Sequence, residues 1–338
     1  MSALAALIKY VVEERGTLSQ EQGYSAVREM LEGAATDIEI ASLLTAIASR
    51  GPTVEELSGF VQAMRAMSTP IPLTESERGQ LVDTCGTGSD GQGTFNISTA
   101  AGLVAAAAGV KVAKHGNRGV TSKCGSADVL EALGVPVLLD PEKAAECLRQ
   151  TGFMFLFAPA LHPAMKRVQP IRRALGFRTI FNLAGPLANP AGARSQVVGV
   201  FAGLELVAQS LARLGVRHAF VVHGRDGLDE LTLNGVSEVV EVREHTVRNF
   251  TLEVSEVGLQ QAPLSALEGG DARGNAALIE GILAGQSGPP RDVVLLNAAA
   301  ALVIAGHAAD FAAGVRCAAD AIDSGAGLRL LAQLRKFG

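Results

Sequence analysis

The stretch LVDTCGTGSDGQGTFNIST, residues 81–99, decides the fold class of this chain. It opens with a short apolar segment typical of a β-strand, which runs directly into glycines, and its last residues have the character of a helix start. The intervening residues 86–91 fit the pattern GxGxxG. A glycine-rich turn lets backbone amides approach an anion, and the following helix directs its positive N-terminal end to the same place. The stretch therefore predicts a strand, a ligand-binding loop (the first loop, residues 86–96) and a helix.

A dinucleotide site is the first alternative for this pattern, but such a site places an acidic residue about 20 residues further on, for the ribose hydroxyls. No aspartate or glutamate occurs between Gly91 and Ala127. That interval instead contains the cationic or titratable residues Lys111, Lys114, His115, Arg118 and Lys123. The hydrogen-bonding side chains at the helix start, Thr94, Asn96, Ser98 and Thr99, also exceed what helix capping needs. We therefore expect a phosphate-rich anion, held by the first loop and by a second loop, residues 114–118, at the end of the next strand.

Hydrophobic periodicity divides the chain into two parts. Apolar residues at helical spacing near the start and in segments 23–33, 37–49 and 53–67 predict a helical domain over residues 1–70. Residues 71–338 form a predicted α/β domain with a central, mostly parallel sheet flanked by helices. Its strand-like runs are 109–114, 153–157, 196–201, 218–222 and 237–242, and its helix-like segments are 97–108, 126–133, 141–150 and 204–214. The proline-containing segment 161–193 interrupts this alternation, and we expect it to leave the sheet and join the N-terminal helices.

Composition excludes several classes of protein. The 338 residues carry a formal net charge of −5, which provides no general basic field for nucleic acid or an anionic membrane. The four cysteines, Cys85, Cys124, Cys147 and Cys317, show no CxxC spacing, so we expect neither a zinc site nor a disulfide framework. The first residues lack the features of a signal peptide, and the apolar run from Val293 to about Ala309 predicts a buried helix. We expect a cytoplasmic protein that binds small molecules.

Five long strings resemble the anthranilate phosphoribosyltransferase family in their order and spacing. They are DTCGTGSDGQGTFNIST (83–99), KHGNRGVTSKCGSADVLEALG (114–134), HPAMK (162–166), IRRALGFRTIFNLAGPLANPA (171–191) and HGRDGLDE (223–230). The resemblance implies a homodimer, formed through the helical N-terminal domain, of subunits with a helical and an α/β part. It also implies an enzyme of tryptophan biosynthesis that transfers the phosphoribosyl group of 5-phosphoribosyl 1-pyrophosphate to the amine of anthranilate.

By the same resemblance, both loops bind 5-phosphoribosyl 1-pyrophosphate. The matching positions of the first are Gly86, Ser89, Asp90, Thr94, Asn96, Ile97, Ser98 and Thr99. Those of the second loop and the residues after it are Lys114, His115, Gly116, Asn117, Arg118, Ser122 and Ser126. The resemblance implies that Ser98, Asp229 and Glu230 hold magnesium, with two ions per subunit on the bound substrate. Adjacent carboxylates offer the oxygen ligands that this hard cation prefers.

Anthranilate carries a carboxylate on a flat ring, so its site needs a cation at one end. The resemblance assigns Arg172 to the carboxylate, which suits the fork of a guanidinium, and Gly86 and Asn117 to the part nearest the ribose. His115 and His162 either line this channel or serve as structural hydrogen-bonding residues. No catalytic nucleophile or general base is assigned; Lys114 and Asn117 are expected to contribute by positioning and electrostatics.

Two positions depart from the family pattern: Ser89 stands where GTGGD is usual, and Thr121–Ser122 where two serines are common. A serine held at positive φ would be strained by about 1 kcal/mol or more, but neither change removes a proposed ligand. Two other functions stay open. A pyrimidine nucleoside phosphorylase shares this architecture, although the Asp229–Glu230 pair disfavours it. A catalytically silent sensor of phosphoribosyl compounds is disfavoured by the intact loops.

Overall fold

The computed structural model describes residues 3–88, 90–119 and 123–337. It begins with four helices: α1 (Ala3–Glu13), α2 (Gln20–Glu32), α3 (Asp37–Arg50) and α4 (Val54–Ala66). Ser19, Thr36 and Thr53 start the last three of these, and each forms a capping box with the residue three positions later. Such boxes satisfy backbone amides that have no partner inside the helix. The predicted helical start of the chain is confirmed.

A seven-stranded sheet forms the centre of the described α/β part. Its strands, in the spatial order β3-β2-β1-β4-β5-β6-β7, are mostly parallel; only β6 and β7 are antiparallel additions at one edge. The strand bounds are β1 Leu81–Gly86, β2 Lys111–Gly116, β3 Phe153–Phe157, β4 Ser195–Gly199, β5 His218–Gly224, β6 Val236–Arg243 and β7 Thr246–Glu253. The predicted α/β class is confirmed. The prediction did not include β7, which alternates polar and apolar residues at an exposed edge.

Helices cover both faces of this sheet. The helices that follow α4 along the chain are α5 (Glu75–Gln80), α6 (Ile97–Ala107), α7 (Ser126–Ala132), α8 (Pro141–Thr151), α9 (Ala158–Leu161), α10 (Gln169–Leu175), α11 (Ile180–Leu187), α12 (Leu204–Arg213), α13 (Ala272–Leu283), α14 (Pro289–Ala305), α15 (Phe311–Asp323) and α16 (Ala326–Leu334). The apolar helix α14 is buried against α6, as predicted for a buried helix, and ends at Gly306. In the described ranges, no helix combines the length and apolar character needed to cross a membrane.

The segment between β3 and β4 leaves the sheet. Its helix α10 packs on α3, and α11 packs on both α3 and α4. The rings of Phe60 in α4 and Phe181 in α11 lie 5.3 Å apart, and both side chains are buried. One apolar core therefore unites the N-terminal helices, this segment and one face of the sheet.

We predict that Phe60→Ala lowers the free energy of unfolding by about 3–5 kcal/mol, because it removes a buried ring and leaves a cavity between α4 and α11. Urea denaturation monitored by circular dichroism measures this change. Phe177→Ala is the control, since Phe177 is 44% exposed, and it should change the free energy of unfolding by less than about 0.5 kcal/mol. A loss below about 1 kcal/mol for Phe60→Ala would contradict the account of this core.

Candidate active site

A cavity of about 480 Å³ opens at the carboxyl ends of β1 and β2. One wall consists of the first and second loops, and the opposite wall comes from Met64 of α4 and residues between 158 and 186. The carboxyl ends of parallel strands are where ligands bind in open α/β sheets. The fold thus brings two loops, predicted separately from the sequence, to one cavity.

Strands β1 and β2 separate towards this cavity. Their ladder has partners only at Leu81–Lys111 and Val82–Val112, whereas β1 pairs with β4 from Val82 to Gly86. Side chains bridge the gap: the amide of His115 donates to Oδ1 of Asp83 at 3.1 Å, and the ammonium of Lys114 donates to the carbonyl of Thr84. These polar contacts bridge the gap between the two strands and position Lys114 at the base of the cavity.

Lys114 is almost fully buried, with 2% of its surface exposed. Its Nζ also lies 3.3 Å from Oγ of Ser98 in the first turn of α6. Burial lowers the pKa of this ammonium, and the neighbouring carboxylates of Asp83 and Glu230 oppose that shift. A cation in such a place interacts strongly with any anion that enters the cavity.

The first loop wraps the start of α6. Gly88, Gly91 and Gly93 adopt positive φ angles of 60°, 77° and 69°, which glycine permits without a steric penalty. Asn96 stands at the N-cap of α6 but makes no side-chain capping bond within the described residues, and the first turn of this helix lines the cavity. One of the amides of that turn, from Ser98, donates to Oε1 of Glu230 at 3.1 Å. The first loop and the first turn of α6 thus lie beside the acidic residue Glu230 at the cavity.

The acidic pair Asp229–Glu230 crosses the ends of β1 and β4. A Cβ added to Gly199 would lie 1.7 Å from the carbonyl oxygen of Asp229, so only glycine allows this close crossing. The amide of Asp229 lies 3.4 Å from Oδ2 of Asp90 in the first loop. Burial is the main cause that raises the pKa of both Asp229 and Glu230, and their neighbouring carboxylates raise it further. Two buried carboxylates close together repel each other, and a bound cation relieves that repulsion.

The donor set fits magnesium better than a metal held by protein ligands alone. Within the described part of the chain, no three histidine, cysteine, aspartate or glutamate side chains converge as a metal cage. Magnesium is usually bound by one or two carboxylates, by waters and by the phosphates of a substrate. A carboxylate pair beside a phosphate-binding loop offers that kind of site.

The opposite end of the cavity combines a cation with aromatic and imidazole rings. The Arg172 guanidinium lies 5.5 Å from the centre of the Phe181 ring, and its Nη2 is 3.4 Å from Oδ1 of Asn182. The rings of His115 and His162 lie 5.1 Å apart and also line the cavity. Both Nε2 atoms are buried without a hydrogen-bond partner among the described residues. This end therefore offers a charge for a carboxylate and flat surfaces for a ring.

The cavity contains every described residue that the sequence singled out for the site. These are Gly86, Asp90, Thr94, Asn96, Ile97, Ser98, Thr99, Lys114, His115, Gly116, Asn117, Arg118, Ser126, Arg172, Asp229 and Glu230. Ser89 and Ser122 lie outside the described residues. Arg118 reaches the cavity rim, but its guanidinium forms ion pairs with Asp128 at 3.0 Å and Glu131 at 2.6 Å.

Sequence reasoning missed several lining residues. Met64, Met165, Lys166 and Gln169 were not assigned, yet all line the cavity. Lys166 belongs to the HPAMK string, so that string contained a signal for it. Met64 lies in the N-terminal helices and has no local pattern that distinguishes it from a core methionine.

Comparison with known families agrees with this architecture. Residues 78–328 match the α/β domain of a glycosyl transferase family, and residues 5–68 match the helical bundle domain of such a family. The chain is thus a glycosyl transferase with a helical bundle and an α/β domain.

Comparison with individual relatives identifies the family within this class of glycosyl transferases. The chain is 52% identical to the anthranilate phosphoribosyltransferase of Pelotomaculum thermopropionicum over 95% of its own length and 92% of the relative. It is 49% identical to that of Solibacter usitatus, covering 100% and 99% of the two chains. The chain belongs to the anthranilate phosphoribosyltransferase family.

Solved structures of the family have the same fold. The enzyme from Thermus thermophilus superposes with a TM-score of 0.91 at 43% identity, covering 100% of this chain and 99% of that one. The Saccharomyces cerevisiae enzyme, in complex with PRPP and Mg, has a TM-score of 0.87 at 27% identity, covering 99% and 97% of the two chains.

The buried histidine pair makes a destabilising contribution to the fold at low pH. Burial, aided by His162, lowers the pKa of His115 to about 3, and burial lowers the pKa of His162 to about 4, from an ordinary 6.5. At these two positions the unfolded chain binds more protons than the folded one below about pH 6.5, so the pair lowers the free energy of unfolding as the pH drops towards 4. Asp83, Asp229 and Glu230, whose pKa values burial raises, contribute with the opposite sign. Each histidine contributes a slope of up to about 1.4 kcal/mol per pH unit.

Urea denaturation between pH 7 and pH 4.5 measures this slope. Relative to the unmodified chain, His162→Gln should become more stable as the pH is lowered, because one of the two buried imidazoles that resist protonation is gone. His307→Gln, which alters an exposed histidine, is the control and should leave the slope unchanged. Equal slopes for His162→Gln and the unmodified chain would contradict the assignment.

Proposed function

We propose that this protein transfers the phosphoribosyl group from 5-phosphoribosyl 1-pyrophosphate to the amine of anthranilate, forming N-(5-phosphoribosyl)anthranilate and pyrophosphate. The reaction is a step of tryptophan biosynthesis. The observation that carries the proposal is a single cavity with anion-binding loops and a carboxylate pair at one end, and Arg172 beside an aromatic ring at the other. The family relatives bear the name of this activity, and a yeast relative has been solved with 4-fluoroanthranilate.

The pyrophosphate end of the substrate binds at the first loop. Amides at the start of α6 and the side chains of Asn96, Ser98 and Thr99 surround this space; the buried hydroxyl of Thr99 has no partner among the described residues. Lys114 lies beneath them and balances the negative charge. Asn117 and Ser126 hold the second loop in shape, since Oγ of Ser126 accepts from the Asn117 amide and donates to its carbonyl, both at 3.2 Å.

Magnesium accompanies the substrate. Ser98, Asp229 and Glu230 are the residues that hold it, with two ions per subunit when the substrate is bound, and its chemistry is to neutralise charge on the pyrophosphate. Burial raises the pKa of Asp229 and Glu230, and a bound cation would keep both carboxylates ionised. Yeast relatives have been solved with magnesium, which supports the assignment.

Anthranilate binds at the opposite end. The fork of Arg172 suits a bidentate bond to the carboxylate, and burial lowers the pKa of this guanidinium, so an anionic partner is favoured there. Gly86 and Asn117 adjoin the point where the two substrates meet, and His115 and His162 face the ring. The amine is thereby held close to the ribose carbon.

Bond cleavage at that carbon produces positive charge that the ring oxygen shares, so the transition state is oxocarbenium-like. Lys114 and the amides of α6 stabilise the departing pyrophosphate, and Asn117 helps to orient the ribose. Confining both substrates in one cavity supplies the proximity that a reaction in water lacks. The amine forms its bond to the ribose carbon directly as the bond to pyrophosphate breaks, so the mechanism needs no covalent nucleophile. An aromatic amine is neutral at working pH, and the proton it loses on forming the new bond passes to pyrophosphate or water, so we assign no general base.

The proposal also includes an oligomeric state and a cellular location. We place a homodimer contact on the helical N-terminal domain, where Tyr10, Val12 and Ile38 are exposed at 37%, 55% and 79%. A cytoplasmic location accords with four free thiols, three of them buried.

The test of function is loss of anthranilate fluorescence when the protein is mixed with 5-phosphoribosyl 1-pyrophosphate, with and without magnesium. Magnesium-dependent loss is the expected result. If no loss occurs, phosphate-dependent cleavage of a pyrimidine nucleoside would instead identify a phosphorylase, and tight binding without turnover would identify a sensor.

We predict that Asp229→Asn combined with Glu230→Gln abolishes this turnover, to below about a thousandth of the normal rate, because magnesium loses its charged ligands. The fold should persist, as judged by circular dichroism, since neutral amides replace carboxylates that burial already disfavours. Glu238→Gln, at a half-buried position on β6 that does not line the cavity, is the control. Normal rates in the double variant would refute the role of the pair.

We further predict that Arg172→Lys raises the KM for anthranilate about tenfold to a hundredfold, because lysine cannot form the bidentate bond. The Kd for 5-phosphoribosyl 1-pyrophosphate, measured by calorimetry, should stay within about twofold. The exposed neighbour supplies a matched control, Arg173→Lys, which should change neither value. An unchanged KM for anthranilate in Arg172→Lys would exclude this carboxylate contact.

A further inference from the structure

The first loop depends on a segment far away in the sequence. Residues 267–270, which precede α13, run antiparallel to the loop: the amide of Phe95 donates to the carbonyl of Leu267 at 3.1 Å, and the amide of Gly269 donates to that of Gly93 at 2.9 Å. Thr94 and Glu268 form the bridge between these bonds. A Cβ on Gly269 would come within 2.7 Å of the Phe95 amide nitrogen, so the two backbones are in close contact. We call residues 267–270 the brace.

A buried asparagine of α13 extends the brace to a side chain of the site. Asn275 is 2% exposed, and its Oδ1 accepts from the amide of Gly270 at 2.7 Å. Its Nδ2 donates to Oδ1 of Asn96 at 2.9 Å. Nδ2 of Asn96 in turn donates to the carbonyl of Cys124 at 3.2 Å. This chain of amides connects the brace, the first loop and the residues after the second loop.

The partners of Asn96 explain why it does not cap α6. Both ends of its amide are already bonded, one to Asn275 and one to Cys124, so its side chain is not available to cap the amides of the helix start. Asn275 itself is not among the described residues that line the cavity. Its side chain therefore acts on the site only through what it bonds.

We propose that Asn275 is a positioning residue, which orients the Asn96 amide and so keeps the first loop in the shape that binds the pyrophosphate group. The inference rests on the proposed function and adds a residue to it. Because an amide offers a donor and an acceptor in fixed directions, no other side chain of this size satisfies Gly270 and Asn96 together. An aspartate would keep the acceptor for Gly270 but would turn a second acceptor towards Oδ1 of Asn96.

Asn275→Asp is the first test, with calorimetric binding of 5-phosphoribosyl 1-pyrophosphate plus magnesium as the readout. We expect the Kd and the KM for this substrate to rise about tenfold, the effect of losing one net hydrogen bond and leaving buried acceptors opposed. The KM for anthranilate should stay within about twofold, since Arg172 lies at the other end of the cavity.

A control separates positioning from stability. Ile279→Val shortens a fully buried side chain of the same helix α13 and makes no change at the loop. It should lower the melting temperature while leaving the Kd unchanged. If Asn275→Asp behaves like Ile279→Val, with a lower melting temperature and a normal Kd, the positioning role is refuted.

A double-mutant cycle tests the route through Asn96. If Asn275 acts through that amide, adding Asn275→Ala to Asn96→Ala should weaken binding by no more than about twofold beyond Asn96→Ala alone. Losses that multiply would show that Asn275 acts by another route and would overturn the proposal. Failure of the unmodified protein to bind the substrate would refute the proposed function as well, whereas normal binding with an unaffected Asn275→Asp refutes only the positioning role.

Discussion

The burial of one ammonium group, that of Lys114, sets the conditions for the rest of the site. A charge taken out of water needs close partners, and here the Thr84 carbonyl and the Ser98 hydroxyl provide them. Those partners belong to β1 and to the start of α6, while the lysine belongs to β2. The gap between the strands, the helix start and the base of the cavity are consequently parts of one electrostatic unit.

Three buried or nearly buried carboxyl groups lie around this ammonium group. Asp83 supports the gap from within the sheet, where Nδ2 of Asn189 donates to it at 2.7 Å, and burial raises the pKa of its carboxyl to about 6. Asp229 and Glu230 lie at the cavity end of the same strands. A site with a buried lysine and buried carboxylates close together complements a ligand that itself combines phosphates with a divalent cation. This balance explains why anion-binding loops and an acidic pair occur together.

The second wall of the cavity provides the groups for the aromatic substrate. Helix α4 and the segment from 158 to 186 come from the layer that packs on the opposite side of the gap, and they contribute Met64, His162 and Arg172. The phosphate end therefore belongs to the sheet and the ring end to the helical layer. Joining substrates of such different chemistry requires both layers. The sheet layer supplies the hydrogen-bond donors for phosphate, and the helical layer supplies a flat slot with a cation for the ring and its carboxylate.

Local signals in the sequence predicted the α/β class, the helical start and both loops, because glycines, capping residues and periodicity act within a few neighbouring residues. The acidic pair was assigned only through the resemblance to the family. They did not predict strand β7, helix α5, the lining role of Met64 or the contact of Asn96 with Asn275. Those features depend on contacts between residues that are distant in the chain, such as the 2.9 Å bond between those two amides. The sequence by itself determined which chemical groups the protein presents. Only the tertiary structure decided which of them share a cavity and which support it from behind, because side-chain contacts arise when the layers pack together.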